Sequence, residues 1–253
     1  MMKIVVLMGS TNRNGSTGIL VQNFQKGAEE AGHSVDVIDI CHANIHPCTG
    51  CVKCGYEGPC VQKDDVELIR KKLLASDMVV RVVLLSASPR KNGNSDILCH
   101  QFIKGAEDAG HDCELIALYD KKINFCRACY ACFKTGKCIL NDDMADILDK
   151  VQEAEVLVIA TPTYFLTMNG MLKTTIDRFL PKWQELGGHD VYLIITGHDS
   201  KAGLKLVGDE LTDIFQNLGN EIKGIIWGEN VWQKGEVKTT KAMEEAYQAG
   251  LNI

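Results

Sequence analysis

The sequence predicts an α/β fold in which a doubly wound parallel sheet follows a partial repeat of its own first half. From residue 81 onward, five short apolar segments alternate with segments of helical periodicity, the pattern of a parallel sheet covered by helices. A shift of 78 positions superposes residues 3–80 on residues 81–158 without a gap, with 27 identities that include four cysteines. A match of this length indicates an internal duplication.

Each copy is expected to contain a strand, a polar glycine turn, a helix, a second strand and a cysteine-rich loop. Apolar runs predict the first strands, and apolar residues at helical spacing predict helices that end at Ala-Gly pairs. The pair Asp142-Asp143 marks the start of another helix, because negative charge is favourable at a helix N-terminus. The predicted strands are Ile4–Met8, Val35–Ile40, Val82–Ser86 and Cys113–Leu118.

Beyond residue 158 the chain has no further copy, but the alternation of strands and helices continues. A third strand leads into Ile159-Ala160-Thr161, and we expect the strand order 2-1-3-4-5, with ligands at the carboxyl ends of the strands. The remaining predicted elements are a helix at Met171–Leu180, a strand at Val191–Thr196, a helix at Leu204–Leu218, a strand at Ile222–Trp227 and a helix at Thr240–Ala249.

The domain boundary is predicted at residue 80. Residues 81–253 form a complete domain, and residues 1–80 form an appended half-domain, because the first copy ends where its third strand should begin. Arg81 is also an awkward residue for the centre of a buried parallel strand. The alternative is that residues 3–80 join residues 159–253, with residues 81–158 looped out.

Composition excludes several classes of function. The 253 residues carry a formal charge of −6, and the pI is near 5.7, which argues against nucleic-acid binding. The sequence has no apolar run long enough to cross a membrane and no signal-peptide pattern, so we expect a cytosolic protein. Eleven cysteines in a reducing compartment indicate metal or redox chemistry. Three of them, Cys41, Cys99 and Cys113, have no counterpart in the other copy and are expected in the core.

The turn Ser86–Ser95, between the first strand and helix of the complete domain, is the predicted phosphate site. Backbone N–H groups and the helix dipole point at such a turn, and Arg90 can neutralise charge. The alternative is a polar surface loop with Ser95 as the helix N-cap. The chain lacks both the dinucleotide-binding and the Walker glycine motifs, so a monophosphate fits best.

The loop Thr161–Gly170 follows the third strand and lies beside the phosphate turn in a 2-1-3-4-5 sheet. Its backbone donors and aromatic side chains can form a wall for a flat heterocycle. The alternative is an ordinary connection in which Tyr164 and Phe165 cover the sheet. His198, after the fourth strand, can touch a bound ring or be solvated.

Each copy carries a motif of the form C-x2-C-x2-C-x5-C. Four thiolates on one short loop suit a cubane iron–sulfur cluster. Tetrahedral zinc is the competing interpretation, although it usually prefers more widely separated pairs, and cysteines packed as small apolar residues are a third. The candidate metal ligands are Cys126, Cys129, Cys132 and Cys138 in the second copy and Cys48, Cys51, Cys54 and Cys60 in the first.

The segments SASPRKNGNS, CRACYACFKTGKC and ATPTYFLTMNGMLKTTIDR together resemble the NADPH-dependent FMN reductase superfamily, and within it the iron–sulfur flavoproteins. The resemblance implies a flavodoxin-like fold, FMN as cofactor, NAD(P)H as co-substrate and, in the iron–sulfur members, a [4Fe–4S] cluster on the four cysteines. It implies phosphate contacts from Ser88, Arg90, Asn94 and Ser95. It implies ring contacts from Pro162, Thr163, Tyr164, Phe165, Asn169 and Gly170.

The first copy lacks the aromatic loop, so a second flavin site is not expected there, although Ser10, Arg13, Ser16 and Thr17 could hold a phosphate. The leading hypothesis is an enzyme that passes electrons from a nicotinamide to flavin, a quinone or a similar acceptor. No catalytic side chain is expected, because the cofactor carries the chemistry. The alternatives are an electron carrier resembling flavodoxin and a non-catalytic assembly protein. The open edge of the half-domain predicts a homo-oligomer.

Overall fold

The computed structural model describes residues 2–51, 54, 60–76 and 79–253. The chain divides into two compact units, Met1–Met78 and Val79–Ile253. No described helix has the length and apolar character needed to cross a lipid bilayer.

The described residues of the first unit form two parallel strands, β1 and β2, and two helices, α1 and α2. Strand β1 pairs with β2 in a register that places Lys3 opposite Ser34 and Met8 opposite Asp39. Among the described residues, β1 has no second neighbour. The elements are β1 (Lys3–Met8), α1 (Ser16–Glu30), β2 (Ser34–Asp39) and α2 (Val66–Leu74).

The second unit also begins with a strand, a helix and a second strand, and it continues with further elements. Its elements are β3 (Arg81–Ser86), α3 (Asn94–Asp108), β4 (Asp112–Ala117), α4 (Cys132–Thr135), α5 (Met144–Gln152), β5 (Val156–Tyr164), β6 (Thr167–Met168), α6 (Gly170–Asp177), β7 (Asp190–Thr196), α7 (Lys201–Asn217), β8 (Glu221–Gly228) and α8 (Ala242–Leu251).

The sheet of the second unit has the order β4-β3-β5-β7-β8, and all neighbouring pairs on this path are parallel. Counted within the unit, this is the order 2-1-3-4-5, so the predicted doubly wound, flavodoxin-like fold is confirmed. Strand β5 pairs with β3 in parallel. Strand β6 forms a short antiparallel hairpin with the end of β5.

Both faces of this sheet are buried, as expected for a parallel sheet covered by helices. Along β3, Val83 and Leu85 contribute to one core, and Val82 and Leu84 contribute to the other. This alternation follows from the two-residue period of a strand. Arg81 stands at the start of β3, where it pairs with Glu153 at 2.5 Å and with Glu114 at 3.6 Å. The two glutamates therefore compensate its charge at the N-terminal end of the strand.

Helices α3 and α8 pack backbone against backbone. A Cβ atom at Gly105 would overlap the carbonyl of Tyr247, and one at Gly250 would overlap the carbonyl of Phe102. Only glycine permits this approach at the two positions. The counterpart of Gly105 in the first copy is Gly27, which has open space beside it.

The three unmatched cysteines behave differently from one another. Cys99 is buried and Cys113 is partly buried, but Cys41 is exposed. The expectation of a core position is therefore wrong for Cys41. It lies in the turn after β2, where the small two-stranded sheet of the first unit leaves little structure to cover it.

Candidate functional site

A cleft of about 570 Å³ opens at the carboxyl ends of β3, β5, β7 and β8. This is the position at which ligands bind in open α/β sheets. Its volume lies in the range of small-molecule and cofactor sites. The lining residues are Arg90, Asn94, Pro162, Thr163, Tyr164, Phe165, Leu166, Thr196, Gly197, His198, Asp199, Val231 and Trp232.

The turn after β3 is held in one compact conformation by its own polar groups. Ser88 Oγ donates to the Arg90 carbonyl at 2.8 Å, and Gly93 N donates to the same carbonyl at 2.8 Å. The buried Asp96 carboxylate accepts from Asn92 N at 2.8 Å and from the Ser86 hydroxyl. Asn92 adopts a positive φ of 55°, which this short polar residue tolerates. The turn is therefore preformed.

Helix α3 begins at this turn without a side-chain cap. The first N–H groups of a helix have no intrahelical acceptor, so an anion can satisfy them. The Asn94 side chain does not cap the helix, because its amide donates to the Gln233 carbonyl at 2.9 Å and accepts from Gly235 N at 2.8 Å. These two bonds fasten the start of α3 to the loop that follows β8.

The four predicted phosphate residues separate into two groups. Arg90 and Asn94 line the cleft. Ser88 is buried within the turn, and Ser95 is buried with its hydroxyl 2.8 Å from that of Thr196. The Ser88 side chain stabilises the turn, and the Ser95 side chain joins the start of α3 to β7.

The loop after β5 supplies one wall of the cleft. Phe165 and Leu166 form the tip of the β5–β6 hairpin with φ values of 49° and 68°, and the Phe165 side chain is fully exposed. Thr163 Oγ1 is buried and has no hydrogen-bond partner. Buried polar atoms are nearly always paired, so this hydroxyl indicates a place for a ligand group. Pro162 and Tyr164 line the same wall.

Asn169 and Gly170 lie outside the cleft lining. The Asn169 side chain caps α6 by accepting from Leu172 N at 3.0 Å, and it donates to the Ala87 carbonyl. Asn169 thus ties the loop after β5 to the turn after β3. Gly170 is the exposed first residue of α6.

The opposite wall comes from residues that the sequence analysis did not select, with the exception of His198. Trp232 is 65% exposed, and its ring meets the His198 ring edge-on at 5.5 Å. Glu236 accepts from the backbone N–H groups of Trp232 at 2.6 Å and Gln233 at 2.8 Å, which lower the pKa of Glu236. The signal available in the sequence was position, since Trp232 follows the fifth strand.

A second, smaller cavity gathers the cysteines of the second copy. Cys126, Cys129, Cys132 and Cys138 all line it, together with Arg178. Ala128 and Tyr130 adopt positive φ values of 49° and 55°. This backbone is costly for residues with a side chain, and such strain clusters at functional sites. The two positions curve the loop between successive cysteines.

All eleven cysteines are free thiols. Within the described ranges, no three His, Cys, Asp or Glu side chains are placed to hold a single metal ion. The thiols of the second copy nevertheless fit a cluster by their chemistry, since four of them share one cavity. In the first copy, Cys48, Cys51 and Cys54 are exposed and Cys60 is partly buried.

A buried ion pair supports the cysteine loop. Arg178 donates from Nη1 and Nη2 to the two carboxylate oxygens of Asp142 at 2.8 and 2.9 Å, and both side chains are at most 2% exposed. Burial alone would raise the pKa of Asp142, but hydrogen bonds from Arg178 and Asn124 outweigh this effect and hold the pKa well below its ordinary value. Asp142 is therefore ionised at neutral pH.

The profile of the NADPH-dependent FMN reductase family matches residues 2–83 and 80–220. The chain belongs to this family. The resemblance inferred from the three segments is thereby confirmed, as is the expectation of a family of oxidoreductases that use FMN and NADPH.

Two curated relatives of this FMN reductase family member match it over different lengths. An iron-sulfur flavoprotein of Archaeoglobus fulgidus is 35% identical over 102 residues, which are 40% of this chain and 46% of that protein. An iron-sulfur flavoprotein of Methanocaldococcus jannaschii is 29% identical over 184 residues, which are 69% of this chain and 91% of that protein. The chain spans about half the length of several curated relatives that it matches.

Solved structures in the family's fold also superpose on the chain. An NAD(P)H:quinone oxidoreductase from Methanothermobacter marburgensis matches with a TM-score of 0.58 and 18% identity, covering 69% of this chain and 96% of that one. At 18% identity, this similarity shows that the two proteins share a fold.

Proposed function

We propose that the protein is an FMN-dependent NAD(P)H oxidoreductase whose flavin lies in the cleft after β3, β5, β7 and β8. The observation that carries this proposal is the convergence of two unsatisfied groups on one cleft. One is the uncapped start of α3, and the other is the buried, unpaired Thr163 hydroxyl. A phosphate at the first and a ring or ribityl oxygen at the second would satisfy both.

Each predicted residue then has a distinct role. Arg90 neutralises the phosphate, while Ser88, Asn94 and Ser95 hold the turn and the helix start in place. Pro162, Thr163, Tyr164 and Phe165 border the isoalloxazine. Asn169 and Gly170 begin α6 and keep the loop after β5 close to the phosphate turn through the Ala87 carbonyl.

Bound FMN would accept a hydride from the nicotinamide and supply electrons to an acceptor such as a flavin or a quinone. The protein binds, orients and excludes water. No side chain is required as a general acid or base. The exposed aromatic rings of Trp232 and Phe165 provide flat apolar surface at opposite walls of the cleft, which suits a planar acceptor.

The test of this function is steady-state oxidation of NADH and NADPH by the purified chain, with free FMN or a quinone as acceptor. We expect turnover that depends on bound FMN. A protein that holds FMN but shows no turnover with any acceptor would instead be an electron carrier. A protein that takes up no FMN would contradict the proposal.

Replacing Arg90 with alanine should weaken FMN binding by about 1.5–3 kcal/mol, because a charge-assisted phosphate contact is lost. This corresponds to roughly 10- to 150-fold in the dissociation constant. Flavin fluorescence titration measures it. The control is Arg13→Ala in the first copy, where Arg13 Nε pairs with Asp39 at 2.5 Å. Equal losses in both variants would mean that the first copy also binds flavin.

We propose that Cys126, Cys129, Cys132 and Cys138 hold an iron–sulfur cluster, as the shared cavity and the strained loop favour. The corresponding candidates in the first copy are Cys48, Cys51, Cys54 and Cys60. Residues 52, 53 and 55–59 of that loop lie outside the described part of the chain. The aromatic pair Tyr130 and Phe133, with ring centroids 5.5 Å apart, lies within the second motif.

We propose further that residues 1–80 form a half-domain through which two copies of the chain associate, and that residues 81–253 form the flavin domain. Leu20 and Phe24 on α1 are 69% and 52% exposed, whereas their counterparts Leu98 and Phe102 on α3 are fully buried. In the second copy these two positions share a core with Ala160 of β5 and Ala246 of α8, and both of these residues lie beyond the repeat. The first copy therefore keeps apolar core positions without the elements that bury them in the second. The symmetric partner would be the same face of another copy.

The double variant Leu20→Lys, Phe24→Lys should lower the oligomeric mass by at least one level of assembly while FMN content stays unchanged. Light scattering measures the mass. Gln22→Lys, at a position exposed in both copies, is the control and should leave assembly intact. An unchanged mass in the double variant would mean that this face is not the interface.

A further inference from the structure

Arg178 has one buried nitrogen atom, Nε, for which the fold provides no hydrogen-bond partner. Its Nη1 donates to the Asn124 carbonyl at 2.7 Å and to Asp142 at 2.8 Å, and its Nη2 donates to Asp142 at 2.9 Å. The Nε atom is buried and has no partner. An unpaired buried donor lowers the free energy of unfolding, and buried donors in proteins nearly always have a partner. The buried Nε–H of Arg178 therefore calls for an acceptor that offsets this cost.

The unused donor belongs to a side chain that lines the cavity of the four cysteines. The guanidinium is 1% exposed and is fixed on its other side by Asp142, so it cannot turn toward water. All four cysteines line this same cavity with Arg178, so a cysteine sulfur is the acceptor that the site offers to the unpaired Nε–H.

We propose that Arg178 is a positioning residue for the cluster, and that its Nε–H donates a hydrogen bond to one of the four cysteine sulfurs when these cysteines hold iron. This inference rests on the proposed cluster in the second copy. Partners that hydrogen-bond to metal ligands fix their orientation and are needed for tight metal binding. Hydrogen bonds to cluster sulfurs also raise the reduction potential, because they stabilise the more negative reduced state.

The first copy provides an internal contrast. Asp64 is the counterpart of Asp142 and accepts from the corresponding backbone groups, His46 N at 2.9 Å and Val66 N at 3.2 Å. The side chain that faces it among the described residues is His46, whose Nδ1 lies 3.5 Å from the carboxylate and which is 58% exposed. Arg178 lies beyond the repeat and has no counterpart in the first copy. We therefore expect the second motif to retain iron more tightly than the first.

The test compares Arg178→Lys with the parent chain, both in a Cys51→Ser background so that only the second motif holds a complete set of cysteines. After anaerobic reconstitution with iron and sulfide, iron release to a chelator should be 10- to 100-fold faster in the lysine variant. The reduction potential of the remaining cluster should be more negative, and FMN content should be unchanged. Arg127→Lys, an exposed position of the same cavity, should behave like the parent.

A second measurement does not depend on the variant folding. Pulsed electron paramagnetic resonance of the reduced parent cluster in D2O should detect an exchangeable deuteron of an N–H group close to a cluster sulfur. Its absence, or iron release and potential equal to the parent in Arg178→Lys, would overturn the inference. If the parent itself takes up no iron, the cluster proposal fails and this inference with it, while the flavin assay with NAD(P)H is judged separately.

Discussion

Replacing Asp142 with alanine should lower the free energy of unfolding of the second unit by about 3–5 kcal/mol. The substitution leaves the Arg178 guanidinium charged and buried without its partner, and breaking a buried ion pair from one side has this cost. It also removes the acceptor for Asn124 N at 2.9 Å and for Met144 N at 3.3 Å. Chemical denaturation followed by circular dichroism measures the change.

The matched control for this substitution is Asp64→Ala in the first copy. Asp64 accepts the same pair of backbone N–H groups but faces a mostly exposed histidine. Its loss should destabilise the chain less, since exposed ion pairs contribute little. Equal effects of the two substitutions would show that the backbone contacts, and not the buried arginine, carry the stabilisation.

The same ion pair makes stability depend on pH. The pKa of Asp142 is lower in the folded chain than in the unfolded chain, so the unfolded state binds the proton more readily. The contribution is fully present above the ordinary carboxyl pKa of about 4 and is lost progressively as the pH falls below it. The free energy of unfolding of Asp142→Ala should therefore decrease less than that of the parent chain as the pH is lowered below about 4.

Replacing Cys129 with serine should abolish iron binding by the second motif while much of the FMN is retained. The cluster needs all four thiolates, whereas the phosphate turn and the ring wall lie on other loops than the cysteines. Iron and sulfide analysis together with the flavin absorbance of the anaerobically purified protein measure both cofactors at once.

The control is Cys113→Ser, because Cys113 lies on β4 outside either motif. That variant should keep its iron. In the first copy, Cys51→Ser should remove only the iron that the first motif holds. Full activity with unchanged metal content in Cys129→Ser would refute a redox role for the cysteine loop.

Much of the fold could be predicted because the sheet is parallel and its strands are short apolar runs separated by helices. The duplication also helped, because an element predicted in one copy is expected at the matching positions of the other. The order of β3, β5 and β7 follows from the general topology of such sheets. Helix ends were less accurate: α6 ends at Asp177 and not at Leu180, because the chain tightens there into turns in which Arg178 N donates to the Thr175 carbonyl and Phe179 N to the Ile176 carbonyl, both at 3.0 Å.

Only the part of the cleft formed by the loops after β3 and β5 was predicted from the sequence. The loops after β3 and β5 carry recognisable residues, and six of the ten predicted flavin residues line the cleft. Trp232 was missed because nothing local distinguishes it from an ordinary surface tryptophan. Its loop is held by Glu236, four residues along the chain, and by Asn94, which accepts from Gly235 N and lies 141 positions from it. Contacts between residues 140 positions apart leave no periodic signature in a single sequence.

The contact between α3 and α8 has a consequence for how cofactor affinity can be altered. Helix α3 starts at the phosphate turn, and farther along its backbone lies directly against α8 at Gly105 and Gly250. A side chain added at Gly250 would push α3 outward and withdraw its first N–H groups from the phosphate, although Gly250 does not line the cleft. Random mutagenesis for weaker flavin retention should therefore recover changes along the C-terminal helix, far from any residue that touches the flavin.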